Sequence, residues 1–359
     1  MNATPTRRPP PSISVIIPCY NYARHVAQAI ESAISQSYPR TEVIVVNDGS
    51  TDDSLAVISR YAGAAQIIDQ PNQGHIAACN RGFAASRGDL VILLDADDWL
   101  EPGALEAVAA AWYPACAKVQ FDLRIVDGQG ADLGRRFCNF GPDYDAERVR
   151  RSFRRSGTYR WPVTSGNAYA RWFLQPLFPL QIALAPDGTL NTLAPVYGDV
   201  VTIPRVLGAY RLHGANMWSS DGLDHARLPA RIQLRQSEVA LMRAHAARAG
   251  VAVPAGDVLD RELPLINYRM MALKLGLPYP GSQHASALRL LGQAALTARA
   301  ERLRAPLAAA HLAWFLALAL APRALVKKLI RLRFNRGAAW QPVRRRLARL
   351  RAGFDHHGR

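Results

Sequence analysis

Short apolar runs alternate with amphipathic segments along the first hundred residues of the chain. The runs have the length and composition of β-strands and lie at Ser12–Pro18, Glu42–Val46, Gln66–Ile68 and Leu90–Leu94. Between them, apolar residues recur every four positions, as at Val26, Ile30 and Ile34, which is the spacing of a helix with one buried face. Strands that alternate with helices through short connections predict an α/β fold with a mostly parallel sheet flanked by helices.

The pattern changes after the fourth run. Pro102–Trp112 is predicted to be helical, Lys118–Val126 and Asp132–Phe137 to form antiparallel strands, and Val200–Ile203 to form another strand. The charged segment 141–161 is predicted to be a loop or helix. From Asp224 the spacing predicts helices only, at about 226–249, 257–275 and 283–304. The fold class is therefore α/β, followed by a helical C-terminal region.

Composition limits the class of protein. Hydrophobic residues make up 49% of the 359 residues, so a sizeable core is expected. The four cysteines lie far apart with no Cys-x-x-Cys, which argues against a zinc site or a disulfide framework and favours a reducing compartment. Residues 1–11 are polar and proline-rich, with no secretory signal, and are predicted to be a disordered lead. We therefore expect a cytoplasmic protein.

The positive charge is concentrated at the C-terminus. Residues 299–359 contain 15 Lys and Arg against 2 acids, whereas the whole chain carries a net charge of +16. Leu307–Leu320 is apolar but shorter than the roughly 20 residues that span a bilayer. Two basic amphipathic pieces follow, at Ala324–Arg336 and Val343–Arg351. We predict that residues 305–359 lie on an anionic membrane surface. A core helix with a solvated basic face also fits, whereas a nucleic-acid arm does not suit so apolar a face.

Three carboxylates directly follow the fourth apolar run. Ligands of open α/β sheets bind at the edge where the strands end. Asp95 and Asp97 are two positions apart, so in an extended segment they face the same way. Neighbouring carboxylates repel each other unless a cation lies between them, and Mg²⁺ or Mn²⁺ is such a cation. A solvated turn, or Asp98 as the cap of the helix near Pro102, is the alternative interpretation.

Two other strand ends are also polar, at residues 18–21 and 47–50. Because the strands are predicted to be parallel, these ends and the aspartates are expected to surround one crevice. No Gly-x-Gly-x-x-Gly follows the first strand and no Walker motif is present, so neither a dinucleotide fold nor a P-loop is supported.

The same segments resemble glycosyltransferase family 2, in the order and near the spacing of that family, from about Ser12 to about Asn216. The resemblance rests on four motifs, Val15-Ile16-Ile17-Pro18-Cys19-Tyr20-Asn21, Asn47-Asp48-Gly49-Ser50-Thr51-Asp52, Asn72-Gln73-Gly74 with Asn80-Arg81-Gly82, and Leu94-Asp95-Ala96-Asp97-Asp98. It implies a GT-A fold and a transferase that uses a nucleotide-diphosphate sugar.

The resemblance also implies roles for individual residues. Asp48 is expected to bind the nucleotide base, Asp95 to lie near the ribose or sugar, and Asp97 to hold Mg²⁺ or Mn²⁺. Further donor-binding residues are expected at Pro18, Tyr20, Asn21 and Asn80. A turn-forming role for Asp48 and a helix-surface position for Asn80 are the alternatives.

Three more assignments follow from the resemblance. Many family members carry Glu-Asp where this chain has Pro186-Asp187, and the second acid is the catalytic base, so Asp187 is assigned that role. The alternative is an N-cap of a helix at Gly188–Ala194. Arg211 is expected to contact the diphosphate and His213 the metal, although a lone histidine is otherwise a packed or surface residue. The Gln/Arg-x-x-Arg-Trp signature of processive members is absent.

Together these patterns predict a glycosyltransferase domain at 12–220, a helical region at 221–304 and a membrane-associating tail at 305–359. The expected activity is inverting, metal-dependent and non-processive transfer to a saccharide or lipid-linked acceptor in surface polysaccharide or glycan assembly. The expected location is the cytoplasmic face of the membrane, with no nucleic-acid partner. Two alternatives remain: a non-catalytic nucleotide-binding module docked on the membrane, and a polyprenyl-phosphate sugar synthase.

Overall fold

The computed structural model describes residues 9–181, 186–213, 225–301, 303 and 305–334. The chain forms two compact units. The first comprises Met1–Leu212 with Ala240–Pro254, and the second comprises His213–Val239 with Ala255–Arg359. The predicted basic segment Val343–Arg351 lies outside the described residues.

The first unit is built on a mixed sheet, of which nine strands lie within the described residues. Its central path has the order β3-β2-β1-β4-β8-β6-β9-β5, and β7 pairs with β6. The strands are β1 (Ile13–Cys19), β2 (Thr41–Asp48), β3 (Gln66–Gln70), β4 (Leu90–Leu93), β5 (Trp99–Leu100), β6 (Cys116–Val126), β7 (Asp132–Arg136), β8 (Asn167–Ala170) and β9 (Asp199–Arg211). The first four strands pair in parallel, as do β6 and β9.

Helices flank this sheet, which confirms the predicted α/β class. They are α1 (Val26–Ile34), α2 (Ser54–Ser59), α3 (His75–Ala85), α4 (Ala104–Ala111), α5 (Ala146–Ser156), α6 (Arg171–Leu174) and α7 (Pro186–Tyr197). Val26 and Ile30 of α1 are fully buried, as their spacing predicts. β6 and β7 pair antiparallel, which confirms the prediction for that hairpin.

Two glycines allow the close packing that positions the polar strand ends. A Cβ at Gly82 of α3 would lie 2.3 Å from Cγ2 of Ile16, so only glycine lets α3 rest this closely on β1. Gly49 has a φ of +66°, and a Cβ there would lie 2.5 Å from the backbone nitrogen of Asn72. Glycine at position 49 therefore lets the loop after β2 approach the loop after β3.

Asn21 lies in the loop before α1, whose cap position is occupied by His25, and its predicted donor-binding role stays a prediction. Asn21 adopts a left-handed φ of 59°. Its Oδ1 accepts a hydrogen bond of 2.7 Å from the backbone N–H of Thr51, and its own N–H donates to Oγ of Ser50. Asn21 thus ties the loop after β1 to the loop after β2.

The second unit is helical in its described part, as predicted. It contains the first half of α8 (Leu228–Ala249), then α9 (Leu263–Leu275), α10 (Ala287–Ala300), α11 (Ala305–Leu320) and α12 (Arg323–Phe334). Helix α9 supplies much of its core, including Ile266 and Met270. Trp314 of α11 donates from Nε1 to Asn267 on α9. None of the helices in the described part of the chain is both long enough and apolar enough to cross a membrane.

Candidate active site

The aspartates after β4 form a tight turn at the edge where the parallel strands end. The chain leaves β4 beside β1, because the N–H of Leu94 donates to the carbonyl of Ile16. The N–H of Asp98 then donates to the carbonyl of Asp95, which reverses the chain. The N–H of Asp95 donates to Oγ of Ser165, in the turn that precedes β8. These bonds hold the Asp95–Asp98 segment in one place.

Asp98 has a structural role in this turn. Its carboxylate accepts hydrogen bonds from Oγ of Ser165 at 2.6 Å and from the backbone N–H of Arg211 at 2.9 Å. Helix α4 begins only at Ala104. The alternative that Asp98 caps that helix is therefore wrong. Asp98 is 1% exposed and Asp97 is 7% exposed, so the solvated-turn alternative is wrong as well.

The acidic groups are crowded. Burial raises the pKa of Asp95 well above its usual range, and repulsion from Asp97 and Asp187 raises it further. Burial, with repulsion from Asp97 and Asp95, does the same for Asp98. Asp187 lies in the first turn of α7, and burial raises its pKa also. Asp187 therefore lies close enough to the aspartates after β4 to interact with Asp95 electrostatically.

His75 connects these groups, although the sequence did not single it out. It is the first residue of α3, and its Nε2 lies 4.0 Å from Oδ1 of Asp95. The pKa of His75 is raised to about 8, first by Cys79 one turn later and also by Asp187 and Asp48. A signal was available, since His75 follows Asn72-Gln73-Gly74 at the start of a helix that leaves the same sheet edge.

Asp48 lies at the end of β2 and is 2% exposed. Its carboxylate accepts hydrogen bonds from the backbone N–H groups of Gln73 and Gly74, each at 2.9 Å, and from Nε2 of Gln70 at 2.8 Å. It thereby shapes the loop that leads into α3 and His75. The role of Asp48 in binding the base stays a prediction.

The other predicted donor residues occupy different positions. Pro18 is buried within β1, whereas Tyr20 is 43% exposed at the strand end. Asn80 is half-buried and makes a reciprocal pair with the backbone of Leu180, accepting from its N–H and donating to its carbonyl. Asn80 therefore anchors the segment that precedes α7. The donor-binding roles of these three residues stay predictions.

Arg211 ends β9 and is 3% exposed. Its Nε donates to the carbonyl of Asp97, and its two terminal nitrogens donate to the carbonyl of Gly128 and to Oε1 of Gln28. This buried guanidinium holds the backbone of the aspartate turn. His213 follows two residues later, at the start of the second unit. The diphosphate role of Arg211 and the metal role of His213 stay predictions.

No three His, Cys, Asp or Glu side chains in the described ranges come together in a way that could hold a metal ion by themselves. All four cysteines are free and buried. Tyr22, which the sequence did not single out, borders the acids: burial and the charges of Asp97, Asp95 and Asp98 raise the pKa of its hydroxyl. Within the described residues, the carboxylates after β4 thus lie near His75 and interact with the Tyr22 hydroxyl.

Comparison with known proteins gives a consistent picture. Residues 14–173 match the family model Glycosyl transferase family 2. An uncharacterised glycosyltransferase of Nostoc sp. is 34% identical over 212 residues, which are 57% of this chain and 66% of that protein. Chondroitin synthase of Pasteurella multocida is 38% identical over 99 residues, or 27% of this chain and 10% of that protein. The chain therefore spans less than two thirds of these relatives.

Solved structures are similar at lower identity. A mannosyltransferase of Pyrobaculum calidifontis, solved in complex with GDP-Man and Mn²⁺, has a TM-score of 0.48 and 22% identity, covering 91% of this chain and 85% of that one. Residues 1–349 of S. aureus TarS give a TM-score of 0.47 and 15% identity, covering 89% and 91%. Asp187, Arg211 and His213 lie beyond the matched residues 14–173. The motifs at the ends of β1, β2 and β4 lie within them, so the part of the chain that carries these motifs is the part that matches glycosyl transferase family 2.

Proposed function

We propose that this glycosyltransferase moves one sugar per encounter from a nucleotide-diphosphate donor to a saccharide or lipid-linked acceptor, with inversion, in surface polysaccharide or glycan assembly. The observation that carries this proposal is the electrostatic interaction of Asp97 and Asp187 with Asp95, which brings the three carboxylates into one site. Asp187 and Asp95 couple electrostatically, and His75 couples to Asp187 and has its Nε2 4.0 Å from Oδ1 of Asp95. A donor site and a base are therefore adjacent, as an in-line displacement requires.

Asp187 supplies the base in this proposal. The carboxylate takes the proton of the acceptor hydroxyl as the acceptor oxygen forms its bond to the anomeric carbon. The bond from that carbon to the diphosphate breaks, and the nucleotide diphosphate leaves with the electron pair. Because the acceptor enters on the face opposite the leaving group, the configuration inverts. The proton ends on Asp187, whose raised pKa suits it to accept one.

The residues at the turn fit a divalent cation. Mg²⁺ is usually held by one or two carboxylates together with substrate phosphates, so a complete protein cage is not required. Asp97 would hold the ion and Asp95 would lie beside it, and the mutual repulsion that raises the pKa of Asp95 is the repulsion that a cation relieves. The ion would supply charge neutralisation for the departing diphosphate.

Pro186 bears on the choice between a catalytic protein and a non-catalytic nucleotide-binding module. It replaces the acid that many family members carry before the base. In this structure Pro186 is the first described residue of α7. Proline is well tolerated at the first helical position, since its missing N–H has no helical partner there. Pro186 is therefore compatible with an intact Asp187 in the first turn, which favours the catalytic proposal over a non-catalytic nucleotide-binding module.

A nucleotide screen tests this proposal directly. With Mn²⁺ present, one nucleoside diphosphate at a hundredfold excess over its Kd is expected to raise the Tm by about 5–10 °C, because a ligand that binds only the native state stabilises it. The matching sugar donor is expected to be hydrolysed slowly, and transferred when an acceptor is added. The corresponding monophosphate serves as the control. Binding without any hydrolysis or transfer would instead support the non-catalytic module.

The acceptor side of the proposal rests on the second unit. Helix α11 carries no Asp, Glu, Lys or Arg, yet Leu307, Leu316 and Leu320 are 50%, 47% and 76% exposed. On α10, Leu288 is 81% exposed and Leu296 is 70% exposed. A groove of about 480 Å³ between these two helices is lined by Leu288, Leu291, Gly292, Ala295, Leu312, Ala313 and Leu316. Contiguous exposed apolar surface of this kind marks an interaction site.

We propose that this apolar surface docks on the cytoplasmic face of an anionic membrane. The next helix, α12, exposes Leu325 and Leu332 together with Lys327, Lys328 and Arg331. Leucines enter the interface between headgroups and acyl chains, and flanking cations attract anionic lipids. A lipid-linked acceptor would be presented at such a surface.

Substitution within the apolar surface tests membrane docking. Leu316→Glu combined with Leu320→Glu is expected to reduce co-sedimentation with vesicles of phosphatidylglycerol and phosphatidylcholine roughly tenfold, because two charges would enter the headgroup boundary. Leu241→Glu is the matched control, since Leu241 is 37% exposed on α8 within the first unit. Unchanged sedimentation of the double variant would contradict docking. Lipid extraction of the products would show whether polyprenyl phosphate itself is the acceptor.

A further inference from the structure

Lys118 is a buried amine that the proposed reaction does not yet use. It lies on β6, between β8 and β9 in the middle of the sheet, and is 0% exposed. Its Nζ donates to Oδ1 of Asn191 and, at 3.1 Å, to the hydroxyl of Tyr159. The Tyr159 and Tyr169 rings lie 5.1 and 6.0 Å from the Nζ. A fully buried lysine is rare unless a partner compensates for its charge.

The hydrogen bonds around the amine converge on one residue of α7. Tyr159 donates its hydroxyl proton to the carbonyl of Asn191 at 2.7 Å, and Tyr169 donates to Oδ1 of Asn191 at 3.0 Å. Asn191 is one helical turn after Asp187, so the two residues share a face of α7. The amine is therefore held directly behind the helix that carries the proposed base.

No carboxylate of the described residues lies within hydrogen-bond distance of the Lys118 amine. Burial lowers the pKa of Lys118 well below its usual range, while Cys138, Asp187 and Cys116 raise it. The pKa of the Cys116 thiol is itself raised to about 11 by burial, and burial raises that of Cys138 further, so both thiols are neutral at neutral pH. Asp187 is the remaining anion that couples to the amine.

The coupling is reciprocal. Burial raises the pKa of Asp187, whereas His75 on α3 and Lys118 on β6 lower it. Asp95 after β4, and the hydroxyls of Tyr169 on β8 and Tyr210 on β9, also interact electrostatically with this carboxylate. The Lys118 amine, which is hydrogen-bonded to Asn191 on the same face of α7, is the basic group on β6 that interacts with Asp187.

We propose that Lys118 is a positioning residue for Asp187, an amine that fixes the second turn of α7 through Asn191 and keeps the base ionised. This inference rests on the proposed function of Asp187. A residue that served only to fill space would be replaced by methionine with a gain in stability, because the desolvation of the amine would disappear.

The test compares Lys118→Met with Tyr169→Phe, which removes one hydrogen bond to Asn191 and keeps the amine. We expect Lys118→Met to lower kcat at pH 7 about thirtyfold, to leave KM for the donor within about threefold, and to move the acidic limb of the kcat profile up by about one pH unit. Tyr169→Phe is expected to leave that limb at its wild-type pH. An unmoved limb in Lys118→Met would overturn the proposal, whatever its effect on stability.

A second measurement does not depend on folding of the Lys118 variant. NMR titration of the Lys118 side-chain nitrogen in the wild-type protein and in Asp187→Asn compares the pKa of the amine with and without its anionic neighbour. The proposal expects that pKa to fall in Asp187→Asn, and an unchanged value would overturn it. Failure of the base assignment gives a different result, since Asp187→Asn would then transfer sugar normally.

Discussion

Asp187→Asn is expected to lower transfer about 10³-fold while donor binding stays intact, because a positioned general base contributes roughly this much to a proton-transfer step. The amide has nearly the same size as the carboxylate, so α7 keeps its first turn. The measurement is kcat for transfer together with the Kd of the donor. Asp132→Asn is the matched control, since Asp132 lies exposed on β7 and couples to none of the groups in the crevice. Normal transfer by Asp187→Asn would remove the base assignment.

The pH dependence of transfer by the wild-type enzyme also tests whether Asp187 is the base. A general base must be ionised to act, so transfer is expected to fall as pH decreases through the pKa of Asp187. Burial raises that pKa above the value of about 3.9 for a free aspartate. The acidic limb of kcat is therefore expected at a higher pH than an exposed aspartate would give, and Asp187→Asn is expected to lose the limb along with the activity.

The first half of the fold could be predicted from the sequence because its strands are short apolar runs with polar ends. The predicted run Ser12–Pro18 differs by one residue at each end from β1, and Gln66–Ile68 extends only to Gln70. The second half follows this rule less well. β9 is one strand of 13 residues, whereas the predicted strand Val200–Ile203 covers only its first part, and the pairing of β9 with β6 shifts register just after that part.

The burial of polar residues inside the sheet could not be predicted from the sequence. Lys118, Gln120 and Asp122 alternate with apolar residues, a pattern typical of a strand with one solvated face. All three are 0% exposed, because α7 and the segment 138–160 cover that face and supply hydrogen-bond partners. Such partners are distant in the sequence, so the pattern alone could not reveal a buried amine behind Asp187.

The candidate site could be predicted in its residue types but not in its contacts. The polar strand ends predicted Asp95 and Asp97 as site residues, and in the structure Asp95 interacts electrostatically with both Asp97 and Asp187. Asp187 is inside the first turn of α7 rather than before Gly188, so the N-cap alternative is wrong. The hydrogen bonds of Asp48 to Gln73 and Gly74 cross 25 and 26 residues, and no local pattern predicts them.

The crowding of these acids leads to the second large expected effect. Asp97→Asn removes one of the charges whose repulsion raises the pKa of Asp95 and Asp98. Without metal, the variant is therefore expected to be more stable than the wild type, on the order of 1 kcal/mol, which corresponds to about 2–4 °C in Tm. Transfer is expected to fall about 10²–10³-fold, since charge stabilisation of the leaving diphosphate would be lost.

Metal dependence separates this effect from a general loss of structure. Mn²⁺ is expected to raise the Tm of the wild-type protein in the presence of a nucleoside diphosphate, and EDTA to reverse the rise. In Asp97→Asn the rise is expected to disappear while the metal-free Tm stays high. Asp53→Asn, at an exposed position beside α2, is the control and is expected to keep both the rise and the activity. An Asp97→Asn variant that is more stable than the wild type without metal, yet inactive with metal, would show that the repulsion among these aspartates serves transfer rather than folding. Carboxylates that are arranged to bind a cation repel one another when the cation is absent, and this repulsion lowers the stability of the protein.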